Sequence, residues 1–445
     1  MIRKRCLTGL GWIWKCADNV FVSQPVIEYL RQIPDYRCAR KHKHDLTETL
    51  LCLIIGFAVG RTSIRRSLNW CKSNISWLRK FMKLENGIAS PSTVSRMLSG
   101  IDEELALYGF MEWIGEIVDT RGKHLAVDGK ALRGATEKTK TFKSPIVMNV
   151  IETETDLVLA QFPMKDKSCE ITEIPKALEM FRLDGSTVTI DAIGTQTTIM
   201  KQILKQGGHF VLCVKKNQPE AEKEINEFMT QMGKDYRKRQ KDSSAAVKYP
   251  EMMDKFTEYS PLEHGHGRTD YRTCRACTDP SILTKTQDEW PFIQTIGQTC
   301  QVRIETVRDS KGNDITPSKA EFLKAGSRRN PIPIHADGAG KDIQCIGMIS
   351  DMGLDAQTMG KIKRKHWAIE NELHHVLDDS FREDRSTART YRNMLALIRK
   401  YAYNLLRLAM LESSERLLMT EMMDRFADDS QLREKYVFTG IAHLN

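Results

Sequence analysis

The spacing of apolar residues divides the chain into stretches of different period. Up to about residue 118 the pattern is helical. "DLTETLLCLIIGFAVG" (45–60), "TSIRRSLNWCKSNISWLRKFMKL" (62–84) and "SPSTVSRMLSGIDEELALYGFMEWIGEIV" (90–118) repeat apolar residues every three to four positions and open near Asp, Thr or Ser caps. Ser92 to Arg96, following Pro91, resembles the start of a recognition helix in a helix-turn-helix. A helical bundle accounts for the same pattern more simply, and the region is a candidate for DNA binding.

Between 122 and 216 the period shortens towards two. "KHLAVDGK" predicts a strand, and "PIVMNVIETETDLVLAQFPM" (145–164) predicts two strands joined by a polar turn. A helix over 170–183, a strand over 186–192, a helix stopped by Gly207-Gly208 and a strand over 209–215 follow. The order β-β-β-α-β-α-β, with apolar strands beside helices, predicts an α/β fold with a mixed sheet covered on both faces. From 217 to about 345 the pattern loosens. It begins with a helix over 218–232 and a basic stretch, "KDYRKRQKD", and continues with strand-like pieces at 268–278, 295–308 and 342–350. Two helices close the chain, over 354–381 and 386–412, the second carrying Arg389, Arg392 and Arg399 beside an apolar stripe. The expected division is a helical region (1–118), the first part of a core (119–216), a strand-rich insertion (217–345) and C-terminal core helices (346–445).

Charge and cysteine content narrow the setting. Lys and Arg number 67 against 58 Asp and Glu, a net +9, which is compatible with a polyanionic partner. The 11 cysteines are scattered, and several sit in apolar runs such as "LLCLII" and "FVLCVK". That placement predicts reduced, buried thiols in a cytoplasmic protein. The opening "MIRKRCLTGLGWIWKC" lacks the small-residue cleavage site of a signal peptide, and the apolar run at 50–59 is too short to span a bilayer.

Candidate chemistry begins with two carboxylates. Asp128 ends the apolar strand Leu125-Ala126-Val127, and Asp191 ends Val188 to Ile190; each is soon followed by glycine. A carboxylate at the end of a buried strand is costly unless it is paired or bound to a cation. Two such carboxylates at one sheet edge would repel, and a hard divalent ion between them removes the conflict. The late helix "KHWAIENELHHVLDDSFRED" offers a third. Glu370 lies beside Ile369, Leu373 and Leu377, with His366 and His374 one turn away on either side. Glu372 is displaced round the helix, and Asp378 and Asp379 are further acids. The separations, 191 − 128 = 63 and 370 − 191 = 179 residues, are too long for a local loop site. Lys130 and Arg133, and the run Lys215, Lys216, Asn217 and Gln218, are candidate phosphate contacts, with Lys167 and Glu170 weaker ones. His264, His266, Cys274 and Cys277 have some zinc-ligand character, but a strand through 268–278 would send the two cysteines to opposite faces.

Taken in order, "IPDYR" with "HDLTETLLCLIIGFAVG", then "PSTVSRML", "AVDGKALRGA", "KSCEITEIPKAL", "TIDAIGTQ", "FVLCVKKNQP", "HGRTDYR" and "HWAIENELHHVLDDSFREDRS" cover the chain from about residue 33 to 410. This ordered set resembles the H-repeat-associated family of bacterial insertion-sequence DDE transposases. The resemblance implies an RNase-H-like core with Asp128, Asp191 and Glu370 as a metal-binding catalytic triad. It implies Mg2+ as cofactor, with Mn2+ as the alternative, and element-end and target DNA as partners. The implied reaction is cleavage by water at the element end, then attack of the freed 3′ hydroxyl on target DNA. A homodimer or larger assembly on DNA is expected, in the cytoplasm at the nucleoid. Many relatives place Tyr, Arg and Lys seven before, four before and seven after the Glu; Lys363, His366 and Leu377 stand there instead. His366 is the expected substitute for the Arg and a candidate DNA contact. Cys169 stands where Asn is expected. The rival expectations are an RNase-H-like nuclease that does not join strands, and a catalytically silent DNA-binding derivative.

Overall fold

The computed structural model describes residues 22–38, 42–135, 144–164, 170–265, 268–286, 288–305, 311 and 345–444. Its centre is a mixed sheet whose first five strands are β1 (His124–Ala131), β2 (Ile146–Glu152), β3 (Leu157–Met164), β4 (Thr187–Ile190) and β5 (His209–Val214). β1, β2 and β3 form an antiparallel meander, while β4 and β5 join parallel to β1, giving the order β3-β2-β1-β4-β5. Every residue of β2 is buried, which a strand covered on both faces requires. Helices flank the sheet, as the alternation of periods predicts and as an RNase-H-like arrangement would have it.

The strand-rich stretch extends this same sheet. β6 (Phe256–Tyr259), β7 (Leu262–Gly265), β8 (Arg268–Cys277), β9 (Thr295–Glu305) and β10 (Cys345–Ser350) follow in the chain. β10 pairs antiparallel with β5, and the order runs on as β5-β10-β9-β8-β6, with β7 also on β8. β6 and β7 were not foreseen, because four-residue strands are too short to carry a period. The long helix Pro219–Lys241 packs along β9 and β10.

Two of the three early helical runs are broken. The run 62–84 divides into Ile64–Ser73 and Ile75–Leu78 at Asn74, whose side chain bonds the Trp70 carbonyl at 2.9 Å. The run 90–118 divides into Pro91–Leu98 and Glu103–Gly115, and Asp102 starts the second helix by accepting from the Glu104 and Leu105 amides. These helices pack on the closing helix Arg392–Glu412 through Phe110, Trp113 and Tyr401, the last two stacked 5.2 Å apart. That helix starts at Arg392, later than the 386 expected. Two further helices, Met419–Asp428 and Ser430–Phe438, return the chain to the N-terminal layer.

The cysteines correct one expectation. Cys300 and Cys345 are directly opposed on β9 and β10, Cα atoms 4.3 Å apart, and form a disulfide. Opposed positions on neighbouring strands bring two thiols together, a juxtaposition invisible in scattered sequence positions. Cys52, Cys71, Cys213, Cys274 and Cys277 are buried and free, and Cys38 is exposed. Cys274 packs with Met348 and Met359 on one side of the sheet, whereas Cys277 joins the main core on the other. They do not converge, as the strand period requires. The side chain of His264 and all of His266 lie outside the described residues, as do Lys167, Cys169 and the Glu170 side chain. No described helix is long and apolar enough to cross a membrane.

Candidate active site

The parallel register of β1 and β4 sets Val127 beside Ile190. The next residues are Asp128, within β1, and Asp191, just past the end of β4, so the two carboxylates leave neighbouring strands at the same level. Asp128 also opposes Asn149 on β2, while Asp191 caps the turn Ala192–Gly194.

The late helix lies across these ends. It begins as Ala356–His366, capped by Asp355, and continues through a π-helical turn, Ile369–His374, into His375–Asp379. Glu370 sits in the π turn and is exposed, while Ile369, Leu373 and Leu377 face the core. One turn before Glu370, His366 Nδ1 lies 3.0 Å from the hydroxyl of Thr189, two residues ahead of Asp191 on β4. One turn after it, His374 Nε2 lies 3.1 Å from Asn149 Nδ2, and its Nδ1 lies 3.6 Å from Asp128 Oδ2. The helix is thus anchored on either side of Glu370, to β4 through His366 and to β2 beside Asp128 through His374.

Electrostatics separates Glu370 from its neighbour Glu372. Glu370 is among the charges that raise the pKa of Lys215, whose Nζ lies 2.9 Å from Asp191 Oδ1. Glu372 acts instead on Asp156, and its carbonyl accepts from the Tyr403 hydroxyl at 3.1 Å. Burial alone would push Asp191 up, but the charge and hydrogen bond of Lys215 outweigh it and hold the carboxyl below its usual range. Burial pushes His366 and His374 each down to about 3, so both rings are neutral.

The oxygen donors and the strand register suit a hard divalent cation. The side chains themselves are not gathered: among the described residues no group of three His, Cys, Asp or Glu is close enough to hold a metal ion. Lys215 is the cation beside Asp191.

Two of the proposed DNA contacts face inwards. Lys130 is 5 % exposed, and its Nζ lies 2.5 Å from Asp378, 3.4 Å from Glu383 and 3.6 Å from Asp384. It neutralises protein carboxylates instead of meeting phosphate, because it lies on the same face of β1 as Asp128, beneath the end of the late helix and the turn that follows it. His366, at 3 % exposure and uncharged, is likewise closed to a DNA backbone. Arg133 stays exposed, with its guanidinium 3.8 Å from Asp384. Lys216 is exposed. Asn217 and Gln218 bond the carbonyls of Ala192 and Thr195, at 2.6 and 3.0 Å, tying the loop after β5 to the turn after Asp191.

Sequence reasoning missed Asn149 and Thr189 altogether and left His374 without a role. The signal was present: each of the first two is a polar residue inside a fully apolar run, "VMNVI" and "VTI". A buried polar side chain needs a partner, and here the partner is a histidine of the late helix.

Comparison with known proteins gives the family. The family described as "Transposase DDE domain" matches residues 119–405, and one described as "DDE_Tnp_1-associated" matches 27–114. The chain is 27% identical to "Putative transposase YncI" of Escherichia coli O157:H7, over 86% of this chain and 87% of that protein. It is 27% identical to "H repeat-associated putative transposase YhhI" of Escherichia coli K12, over 81% and 83% of the two chains. "H repeat-associated putative transposase YbfD" of the same strain is 30% identical over 58% of this chain and 96% of its own length. With the catalytic-domain match alone spanning more than half of its residues, the chain belongs to the DDE transposases, in their H-repeat-associated insertion-sequence branch.

Proposed function

We propose that the protein is an active transposase that cuts DNA at insertion-sequence ends and joins them to target DNA, with Asp128, Asp191 and Glu370 holding Mg2+ or Mn2+. The observation that carries this reading is the parallel register of β1 and β4, which starts the two aspartates at one level on adjacent strands, with the helix bearing Glu370 anchored to β4 and to β2. When bound, divalent ions supply charge stabilisation of the attacking and leaving oxygens of phosphoryl transfer. Lys215 keeps Asp191 ionised, the form in which it would hold a metal. Arg133, Lys216, Asn217 and Gln218 border the same edge and contact the DNA backbone there. Because an element has two ends, the working form is a dimer or larger assembly on DNA.

The test is Mg2+- or Mn2+-dependent cleavage and strand transfer on DNA carrying the ends of the protein's own locus. Asp128→Asn, Asp191→Asn and Glu370→Gln are expected to lose both reactions while still binding DNA. Activity retained by Glu370→Gln would place the third ligand elsewhere. Cleavage without joining would reduce the protein to a nuclease, and binding without cleavage to a silent derivative.

A further inference from the structure

His366 and His374 bracket Glu370 at four residues on either side, and each reaches a different strand. His366 meets Thr189, on the strand that ends in Asp191, while His374 meets Asn149 and faces Asp128. The Thr189 hydroxyl is also 2.9 Å from His124 Nε2, and His124 Nδ1 is 2.9 Å from the Thr153 hydroxyl, so the first anchor is itself held from behind. Between the anchors the helix widens into a π turn. A π turn loosens the helical register, and such turns recur at functional sites. Without a fixed point at each end, the wider turn would let Glu370 drift around the helix axis. A carboxylate that is exposed, on a helix with a buried and a half-buried histidine gripping the strands below, has its backbone fixed and its side chain free to reach.

We propose that His366 and His374 are positioning residues: imidazoles that clamp the late helix across β4 and the β1–β2 pair, and so fix the backbone of Glu370 where its side chain can turn to a cation shared with Asp128 and Asp191. The proposal rests on the metal-triad reading given above. It assigns His366 a role in place of a phosphate contact, and His374 a role it did not have.

Mn2+ binding to the full chain without DNA, read from the resonance of free Mn2+, tests it apart from activity. His366→Leu, Thr189→Val and His374→Leu are each expected to weaken Mn2+ binding at least fivefold, while KM for DNA stays within twofold of wild type. His374→Gln, which keeps a polar partner for Asn149, is expected to recover most of the loss. Since the clamp acts through Glu370, His366→Leu added to Glu370→Gln is expected to cause no further loss. Melting in EDTA identifies variants that fail to fold, and His366→Asn replaces His366→Leu in that case. Mn2+ affinity unchanged in the folded variants, or a loss that adds to that of Glu370→Gln, overturns the clamp. A rise in KM alone restores His366 as a DNA contact and overturns it too. If Asp128→Asn binds Mn2+ as well as wild type does, the triad reading has failed, and the clamp falls with it.

Discussion

Single residues behind the site carry much of its stability. Lys130 stands among three carboxylates, of which Glu383 is 3 % exposed and also lies 3.9 Å from the buried Arg399. Removing one partner of such a cluster leaves uncompensated buried charge, so Lys130→Met is expected to cost about 3 kcal/mol in urea unfolding. Lys130→Met combined with Glu383→Leu is expected to regain part of that loss, because the orphaned charge is then gone. The buried histidines predict a pH dependence. Burial pushes His124 down to about 4 and His366 to about 3, from an ordinary 6.5. Below pH 6.5 the unfolded chain takes up protons on these rings that the folded chain does not. Their contribution is therefore complete above pH 6.5 and is lost as the pH falls towards 4 and then 3. Urea midpoints at pH 7.5 and 5 are expected to differ markedly, and less so in a His124→Gln variant.

Elements meet at points of close approach that explain parts of the motifs. In "AVDGKALRGA" a Cβ on Gly134 would stand 2.3 Å from the Asp384 carbonyl and 2.6 Å from that of Ser386. Both are backbone atoms, so neither can swing away. Gly134→Ala is expected to separate the turn Arg133–Ala135 from the turn Glu383–Arg385, lowering stability by about 2 kcal/mol. Cleavage would fall with it, since the second of these turns follows the late helix; thermal melting and a cleavage assay check the two effects. The Cys300–Cys345 bond closes a loop with a sequence separation of 45. Cross-linking a loop of that length stabilises by about 4 kcal/mol in the chain-entropy account. Cys345→Ser is expected to lower the melting temperature in non-reducing buffer and to leave it unchanged under dithiothreitol.

At the scale of the molecule, the ends of the chain hold the helical layer together. The Leu444 amide bonds the Ile117 carbonyl at 2.7 Å, Val22 bridges Ala442, and Phe438 stacks on Phe81 at 4.0 Å beside Trp77. Truncation after Glu412 is expected to raise amide exchange in the early helices, at Ile64–Leu78 above all, and to spare β1, β4 and β5. The last two helices pack chiefly on the helical layer and on the closing helix. Because the layer over residues 22–118 packs on the closing helix, a DNA load on one would be felt by the other.

The amino-acid sequence by itself determined the order of the core elements and the family, and it singled out two aspartates that the structure sets at one level on neighbouring strands. A strand period of two followed at once by Asp is written in consecutive residues, and helix caps and glycine stops are equally local. The preference for Glu370 over Glu372 rests on helical spacing, with Glu370 a weak charge influence on Lys215 and Glu372 one on Asp156. Tertiary structure alone decided which polar residues meet. Lys130 follows Asp128 by two positions and looks like a phosphate ligand, but it is spent on Asp378 at the end of the late helix and on Glu383 and Asp384 in the turn that follows. Thr189, Asn149, His366 and His374 likewise find their partners across strands and helices, as do the two cysteines of the disulfide. Period reports which face a residue presents; what stands opposite that face is set by packing, and packing joins residues that no local pattern connects.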